Sequence, residues 1–304
     1  MAADIVVVGS LNEDTTVRVA RLPEPGETVL GQGHFTDTGG KGANQAVAAA
    51  RLGRSVAMVG MVGADRAGML LLQTLGGAGV ATEAVRKAPQ APTGMALITV
   101  DEHGENMIVV SPGANGALTP TDVEDAASVL LQEAVVTMLQ LEIRTDTVAA
   151  AARLSNGTVI LNPAPARALE PDLLAHVDVL IPNRTELGTL AGVGDAPTTI
   201  DGAADLARSL EGPTTVVVTL GVDGALLVDD TGIHHIPSVP VEVVDPTGAG
   251  DAFCAGMADA LVRGAAAREA VEWAVLCGAA ATRRWGAQAA LPARGEVETL
   301  ERLR

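Results

Sequence analysis

Predominantly apolar runs of strand length recur along the chain, at residues 5–9, 134–141, 159–161, 177–181 and 215–218. They are rich in Val, Ile and Leu and lack a clean alternation of apolar and polar positions. That is the pattern of strands covered on both faces, as in a parallel sheet flanked by helices. Between them lie helix-period patterns, such as the small-residue stretch 47–52 and the face made by Cys254, Met257, Ala258 and Leu261. Two other stretches have a period of two. Thr-Thr-Val-Arg-Val from Thr15 and Glu-Thr-Val-Leu-Gly from Glu27 flank Pro23–Gly26, and residues 94–100 and 106–110 flank Glu102-His103-Gly104. They predict a small, half-exposed sheet, discontinuous in sequence at 14–38 and 93–111. The alternation of strand and helix signals otherwise runs from end to end, which predicts one α/β domain over 1–304 with a mostly parallel central sheet.

The strand-like runs end in polar residues. Run 5–9 closes on Gly9-Ser10 and is followed by Asn12 and Asp14; the others lead into Glu142, Asn162, Asn183 and Thr219-Leu220-Gly221. In open α/β sheets ligands bind outside the carboxyl ends of the strands, so these residues are expected around one pocket. Asn12 and Asp14 alone would equally suit an Asx turn.

Two glycine-rich stretches carry more specific chemistry. After the strand-like run 239–244 comes Asp245-Pro-Thr-Gly-Ala-Gly-Asp-Ala-Phe253, which leads into a helical pattern. Gly248 and Gly250 let backbone N–H groups curl around an anion at a helix N-terminus. A carboxylate at Asp251 would repel that anion, and fits there if it takes a proton from an attacking hydroxyl. Asp is also a favoured helix N-cap. The second stretch is Gly39-Gly-Lys-Gly-Ala-Asn-Gln-Ala46. It is no P-loop, because Phe35 and Gly42 stand where glycine and Ser or Thr are needed; it is no dinucleotide fingerprint, because Gln45 replaces a glycine. On its own it reads as a close-packed helix entry.

Composition narrows the partners. With 20 Lys and Arg against 37 Asp and Glu, the net charge of −17 argues against a nucleic-acid partner, whose backbone requires clustered cations. It also means that an anionic substrate must be met locally, by backbone N–H groups, a metal ion and Lys41. Only Phe35, Phe253, Trp273 and Trp285 are aromatic, so the core must be aliphatic. Cys254 and Cys277 stand in apolar helical contexts and read as packed thiols in a reducing cytosol. Nothing before Ile5 reads as a signal peptide and no apolar run reaches bilayer length, so a cytoplasmic protein with no membrane partner is expected.

The stretch 245–253 resembles the signature of the ribokinase-like, or PfkB-type, sugar and nucleoside kinases, and 39–46 resembles the sugar-binding motif of the ribokinases within that family. The resemblance runs from Ile5 to the region of Gly286. It implies a three-layer fold with a β lid that often doubles as a homodimer surface. It implies ATP-dependent phosphorylation of D-ribose at O5, with Asp251 as base and Gly248, Ala249 and Gly250 as the anion hole. Asn12, Asp14, Gly40, Lys41, Asn44 and Glu142, with Asp251, match the positions that bind the sugar. Asn183 and Glu186 match an Asn-x-x-Glu motif near the phosphates and Mg²⁺; Thr219, Gly221 and Gly224, with Gly250, match the nucleotide positions. A monovalent cation, K⁺, is implied beside Asp245, Thr247, Ala281, Arg284, Gly286 and Ala290, largely through carbonyls. Ala290 departs from the serine of that pattern, Trp285 from a small or polar residue, and Val275 places an apolar wall near the adenine. Deoxyribose, fructose, pseudouridine or adenosine remain alternative substrates.

A sugar sensor without catalysis would not need Asp251 and its glycine turn, and a nicotinamide-dependent dehydrogenase would need a glycine fingerprint after the first strand. His234-His235 has no third ligand at metal spacing, and Cys254 and Cys277 lack that of a metal knuckle. Asp229-Asp-Thr-Gly232 reads as a hairpin turn.

Overall fold

The computed structural model describes residues 3–303. Its main feature is a ten-stranded sheet whose path runs Gly232–Ile236, Ala225–Asp229, Thr215–Thr219, Val179–Leu180, Thr158–Asn162, Val136–Gln140, Ile5–Val8, Val56–Gly63, Val80–Ala81. Val85–Ala88 pairs in addition with Val56–Gly63. All pairings are parallel except the two that attach Ala225–Asp229 and Gly232–Ile236, which form a hairpin around the Asp230-Thr231 turn.

Successive side chains of a strand point to opposite faces, and here both faces are covered. Ile5 and Val7 pack with Val47, Met58, Met138, Phe253 and Met257 on one side, whereas Val6 and Val8 pack with Val59, Leu139, Leu161 and Val148 on the other. The first side is closed by the helices Lys41–Arg51, Ala249–Val262 and Ala267–Ala281. The second is closed by Pro120–Glu133, Thr145–Leu154 and Ile200–Ser209. Local chemistry fixes where several helices start. Thr119 and Asp122 form a reciprocal capping box with Pro120 at the first helical position, and the Asp65 carboxylate accepts from Gly68 N–H.

The second sheet has four strands, in the order Gly33–Gly39, Asn12–Arg18, Gly94–Val100, Asn106–Ser111. Its strands begin where those of the main sheet leave off: Asn12 follows Ile5–Val8 by a few residues, and Gly39 leads through Gly40 into the helix Lys41–Arg51. Its inner end is buried at Asn12, Thr38 and Ala96, and the whole of Asn106–Ser111 is exposed.

Three local expectations are corrected. Residues 239–244 form no strand: Pro237, Pro240 and Pro246 cannot donate to a ladder, and the segment instead lines a cavity. Glu27-Thr-Val-Leu-Gly is not the partner strand either. Glu27 folds back to pair with Arg21 and accept from Glu24 N–H, and the partner is Gly33–Gly39, two residues further on. Asn12 and Asp14 lie in a strand, paired with Gly39 and Asp37, and not in an Asx turn.

Candidate functional site

The helix Ala249–Val262 begins at the centre of the site. Its N-cap is Gly248, whose φ of 78° is the left-handed conformation that glycine adopts without strain. Asp251 therefore sits inside the first turn and is not the cap. Its carboxylate is 8 % exposed and is held at both oxygens: Asn44 Nδ2 donates to Oδ2 at 3.0 Å and Gln45 Nε2 to Oδ1 at 3.1 Å. Burial raises the Asp251 pKa, while the Lys41 charge and the two amides pull it back toward the ionised form. The Ala249 N–H donates to the Pro246 carbonyl at 3.2 Å. Gly248, Gly250 and Asp251 keep their N–H groups without a partner among the described residues, and Gly248 and Gly250 line the small cavity. In front of Gly250 nothing lies within 4 Å of where a Cβ would stand, so the backbone is open to a ligand.

The helix Lys41–Arg51 brings the second glycine stretch against this turn. Gly40, with φ 88°, turns the chain into the helix. Gly42 lies so close to Gly9 and Ser10 that an added Cβ would stand 2.6 Å from the Ser10 nitrogen. The close-packed entry is real, and it has a use: it sets Asn44 and Gln45 over Asp251 and points Lys41 into a cavity of about 140 Å³ with Asn162, Asn183, Glu186, Gly250, Asp251 and Cys254. Burial disfavours the Lys41 charge, but Asp251, Glu142 and Glu186 more than compensate and raise its pKa. Cys254 is buried beside Asp251, and its thiol is raised by burial and is not a thiolate.

On the opposite side stand the acidic and amide groups of the strand ends. Glu142 Oε2 accepts from Ser10 Oγ at 2.5 Å and from Lys41 N–H at 3.1 Å. Asn12 Oδ1 accepts from Asn115 Nδ2 at 2.7 Å, and Asn115 also bonds both the N–H and the carbonyl of Leu11. Asp14 packs against Gly39. Burial, then the charges of Glu142, Asp37 and Asp251, raise its pKa to about 7. Its Oδ1 and Asn44 Oδ1 are buried without a partner among the described residues.

Asn183 and Glu186 form a capping box on the helix Arg184–Leu190, with Asn183 Oδ1 accepting from Glu186 N–H and Glu186 Oε2 accepting from Asn183 N–H at 2.7 Å. Each still lines the small cavity, and burial raises the Glu186 pKa. Beyond Thr219 and Gly250, which line both spaces, a cavity of about 460 Å³ opens. Gly221, Gly224, Val239, Val243, Phe253 and Val275 line it, so Val275 is an apolar wall.

The cation set is brought together only in part. Asp245 Oδ1 accepts from Thr247 N–H and Oδ2 from Gly286 N–H, both at 2.9 Å. Burial opposes the Asp245 charge, but these bonds outweigh it and lower its pKa. Thr282, next to buried Ala281, accepts from Val244 and Asp245 N–H. Arg284 pairs with Glu296 and reaches the Ala290 carbonyl at 3.4 Å, so that carbonyl already has a cationic neighbour. Trp285 is 67 % exposed, with the Arg18 guanidinium 5.8 Å from its ring centre.

Asn162, expected at a strand end, lines the small cavity, whereas Ser10, Gln45, Asn115 and Gln140 are site residues that sequence reasoning gave no role. The available signal was burial: Gln140 closes an apolar strand.

A family model described as pfkB family carbohydrate kinase matches residues 2–294. A Haemophilus influenzae protein named ribokinase is 37 % identical over 99 % of this chain and 98 % of its own. A Salmonella typhi protein named deoxyribokinase is 36 % identical over 95 % of each. Among solved structures, Arabidopsis thaliana ribokinase complexed with ribose and ATP superposes with a TM-score of 0.91 at 33 % identity, covering 99 % of both chains.

Proposed function

The chain belongs to the pfkB carbohydrate kinase family, and from that premise we propose that it transfers the γ-phosphoryl group of ATP to O5 of D-ribose, giving ribose 5-phosphate and ADP. The observation that carries the reading is the placement of Asp251. A buried carboxylate, fixed at both oxygens, stands at an open helix N-terminus between the polar strand ends and the mouth of the apolar cavity. The Arabidopsis relative's complex with ribose and ATP supports the same pair of substrates.

The sugar lies among Asn12, Asp14, Gly40, Asn44 and Glu142, whose carboxylates accept hydroxyl hydrogen bonds. Adenine lies in the apolar cavity against Val275, with Thr219, Gly221 and Gly224 along its edge. Asp251 accepts the proton of the primary hydroxyl as that oxygen attacks the γ-phosphorus and the bond to the ADP oxygen breaks. The N–H groups of Gly248, Gly250 and Asp251 and the Lys41 ammonium stabilise the charge on the transferring group. The small sheet closes over the sugar as a lid.

The donor set of the small cavity fits Mg²⁺. Glu186 keeps Oε1 outside the capping box as an oxygen ligand, Asn183 Nδ2 is left to donate to a phosphate oxygen, and Mg²⁺ needs few protein ligands because it retains waters and binds phosphates. Bound there, it would neutralise phosphate charge. For K⁺ the loop of Asp245, Thr247 and Gly286 fits, whereas the Ala290 carbonyl is shared with Arg284, so activation by K⁺ is expected to be weak. The exposed Phe35, Leu97, Met107, Ile108 and Val109 of the small sheet support a homodimer through that face. No helix among the described residues is long and apolar enough to cross a membrane. With the charge of −17, this supports a cytoplasmic enzyme without nucleic-acid or membrane partners.

The near-equal identity to a deoxyribokinase favours 2-deoxyribose as the second reading. Coupled ADP release on ribose, deoxyribose, fructose, adenosine and pseudouridine, with Mg-ATP in K⁺ or Na⁺, separates them. A kcat/KM highest for ribose is expected. A higher value for another compound would reassign the sugar, and no turnover at all would leave a sugar sensor.

A further inference from the structure

Beneath the carboxylate of Asp251 runs a chain of buried side-chain amides from three separate elements. Gln45, on the helix Lys41–Arg51, is 1 % exposed, and Gln140, at the end of the strand Val136–Gln140, is fully buried. Gln45 Nε2 has two hydrogens and two acceptors, Asp251 Oδ1 at 3.1 Å and Asn162 Oδ1 at 3.3 Å. Gln45 Oε1 accepts from Gln140 Nε2 at 2.6 Å. Asn162 is itself oriented, because its Nδ2 donates to the Ile181 carbonyl at 2.9 Å.

An amide can be turned end for end, and a turned Gln45 would set its oxygen against the carboxylate of Asp251 and the oxygen of Asn162. The donor from Gln140 and the acceptor on Asn162 together forbid that arrangement. Gln140 in turn occupies room left by a missing side chain, since a Cβ on Gly9 would stand 1.9 Å from its Oε1. That Oε1 has no partner among the described residues, so the orientation is set by the three bonds of Gln45, to Asp251 Oδ1, Asn162 Oδ1 and Gln140 Nε2, all of which turning Gln45 would lose.

We infer that Gln45 is a positioning residue for the transfer step: it fixes the Asp251 carboxylate toward the attacking hydroxyl, and Gln140 sets the direction of the Gln45 amide. The inference rests on the kinase reading above and goes beyond it, because neither glutamine lines the small cavity or the apolar one. Asn44 alone holds only Oδ2, and a carboxylate bound at one oxygen retains rotation about its last bond. Binding of ribose depends on other side chains, so the effect belongs to kcat and not to KM.

The experiment is a double-mutant cycle on the full-length protein with ribose and Mg-ATP, using Gln45→Met, Asp251→Asn and the pair. Methionine keeps the length of the side chain and removes its donor and acceptor. Losing one hydrogen bond to a charged group predicts a fall in kcat of roughly 10- to 100-fold for Gln45→Met, with the ribose KM within about threefold of wild type. In the Asp251→Asn background the same substitution should change kcat by less than about twofold, because the group through which Gln45 acts is gone. Gln140→Met gives an independent reading if Gln45→Met does not fold. It should lower kcat by roughly 3- to 10-fold with the same unchanged KM, since Gln45 remains but loses its orientation. A folded Gln45→Met enzyme with wild-type kcat, or an equal loss in both backgrounds, would overturn the inference while leaving the kinase reading in place. Absence of ADP release by the wild type would remove both.

Discussion

The two sheets meet where we propose that the sugar binds, and are built in opposite ways. The main sheet is covered on both faces and delivers its groups from strand ends and helix starts already braced by one another, as Asp251 is by Asn44 and Gln45. The small sheet is buried only at its inner end, and its outermost strand, Asn106–Ser111, is exposed throughout. From it come Asn12 and Asp14, and Asp14 Oδ1 has no partner among the described residues. Chemistry thus rests on the braced part, while the share of recognition proposed for Asn12 and Asp14 rests on the part with fewer constraints. Substitutions in the first should appear in kcat, and those in the second in KM.

The largest effect expected is that of Asp251→Asn, which removes the base and keeps the shape while turning one acceptor into a donor that faces Asn44 or Gln45. A kcat lower by ~10²–10⁴-fold with little change in ribose KM is predicted from steady-state kinetics of the folded variant. A raised KM with unchanged kcat would erase the distinction between the two sheets.

Asp14→Asn tests the other side. Losing a charged acceptor for sugar hydroxyls should raise the ribose KM by roughly 10- to 100-fold and leave kcat within about threefold. The unliganded protein adds a second readout. Because the Asp14 pKa is raised to about 7 from 3.8, its neutral form is the one the fold favours. That contribution is complete below the ordinary value and is lost as pH rises toward 7. The melting temperature of the unliganded wild type should therefore fall relative to Asp14→Asn between pH 4 and pH 8. A constant difference across that range would contradict the burial-driven shift.

Gly42→Ala sharpens the contrast by attacking the seam where the glycine helix meets the first strand. The added methyl meets backbone at Ser10 and Gly9, which cannot move out of the way as a side-chain end could. A loss of ~1–3 kcal/mol in urea unfolding is expected, accompanied by a fall in kcat, since Asn44 and Gln45 ride on the same helix. The smallest kinetic effect is expected from Val109→Lys on the exposed strand. It should convert a dimer into a monomer by light scattering while kcat changes less than about twofold. A wild-type protein that is already monomeric would remove the dimer proposal.

Much of the main sheet could be read from sequence, because strands covered on both faces leave continuous runs such as Ile-Val-Val-Val at Ile5–Val8. The expected runs at 134–141 and 177–181 proved longer than the strands Val136–Gln140 and Val179–Leu180. Apolar content marks burial better than it marks ladder bonds. The same signal misled at 239–244, where valines between prolines line a cavity instead of pairing, and at Gly33–Gly39, whose Gly-His-Phe-Thr-Asp-Thr-Gly carries little strand propensity and pairs through its neighbour.

In the site, Asp251, Asn44, Lys41 and Glu142 were legible because glycine-rich stretches and strand ends advertise a place where backbone meets ligand. Ser10, Gln45, Asn115 and Gln140 were not. Their partners are distant in sequence, as with Gln45 and Asp251, 206 residues apart, and each local pattern would tolerate an ordinary core residue in their place. The bond from the Ala249 N–H to the Pro246 carbonyl was hidden for a similar reason, since only the folded turn shows it.

The central claim is that this site transfers phosphate to the primary hydroxyl of ribose. Phosphorus–proton correlation NMR on the product of wild-type enzyme, ribose and Mg-ATP tests it most directly. The account predicts one new phosphomonoester resonance, coupled to the two protons on C5 of ribose and absent from the Asp251→Asn reaction over the same time. Coupling to the proton on C1, or the same product formed equally fast by Asp251→Asn, would contradict it.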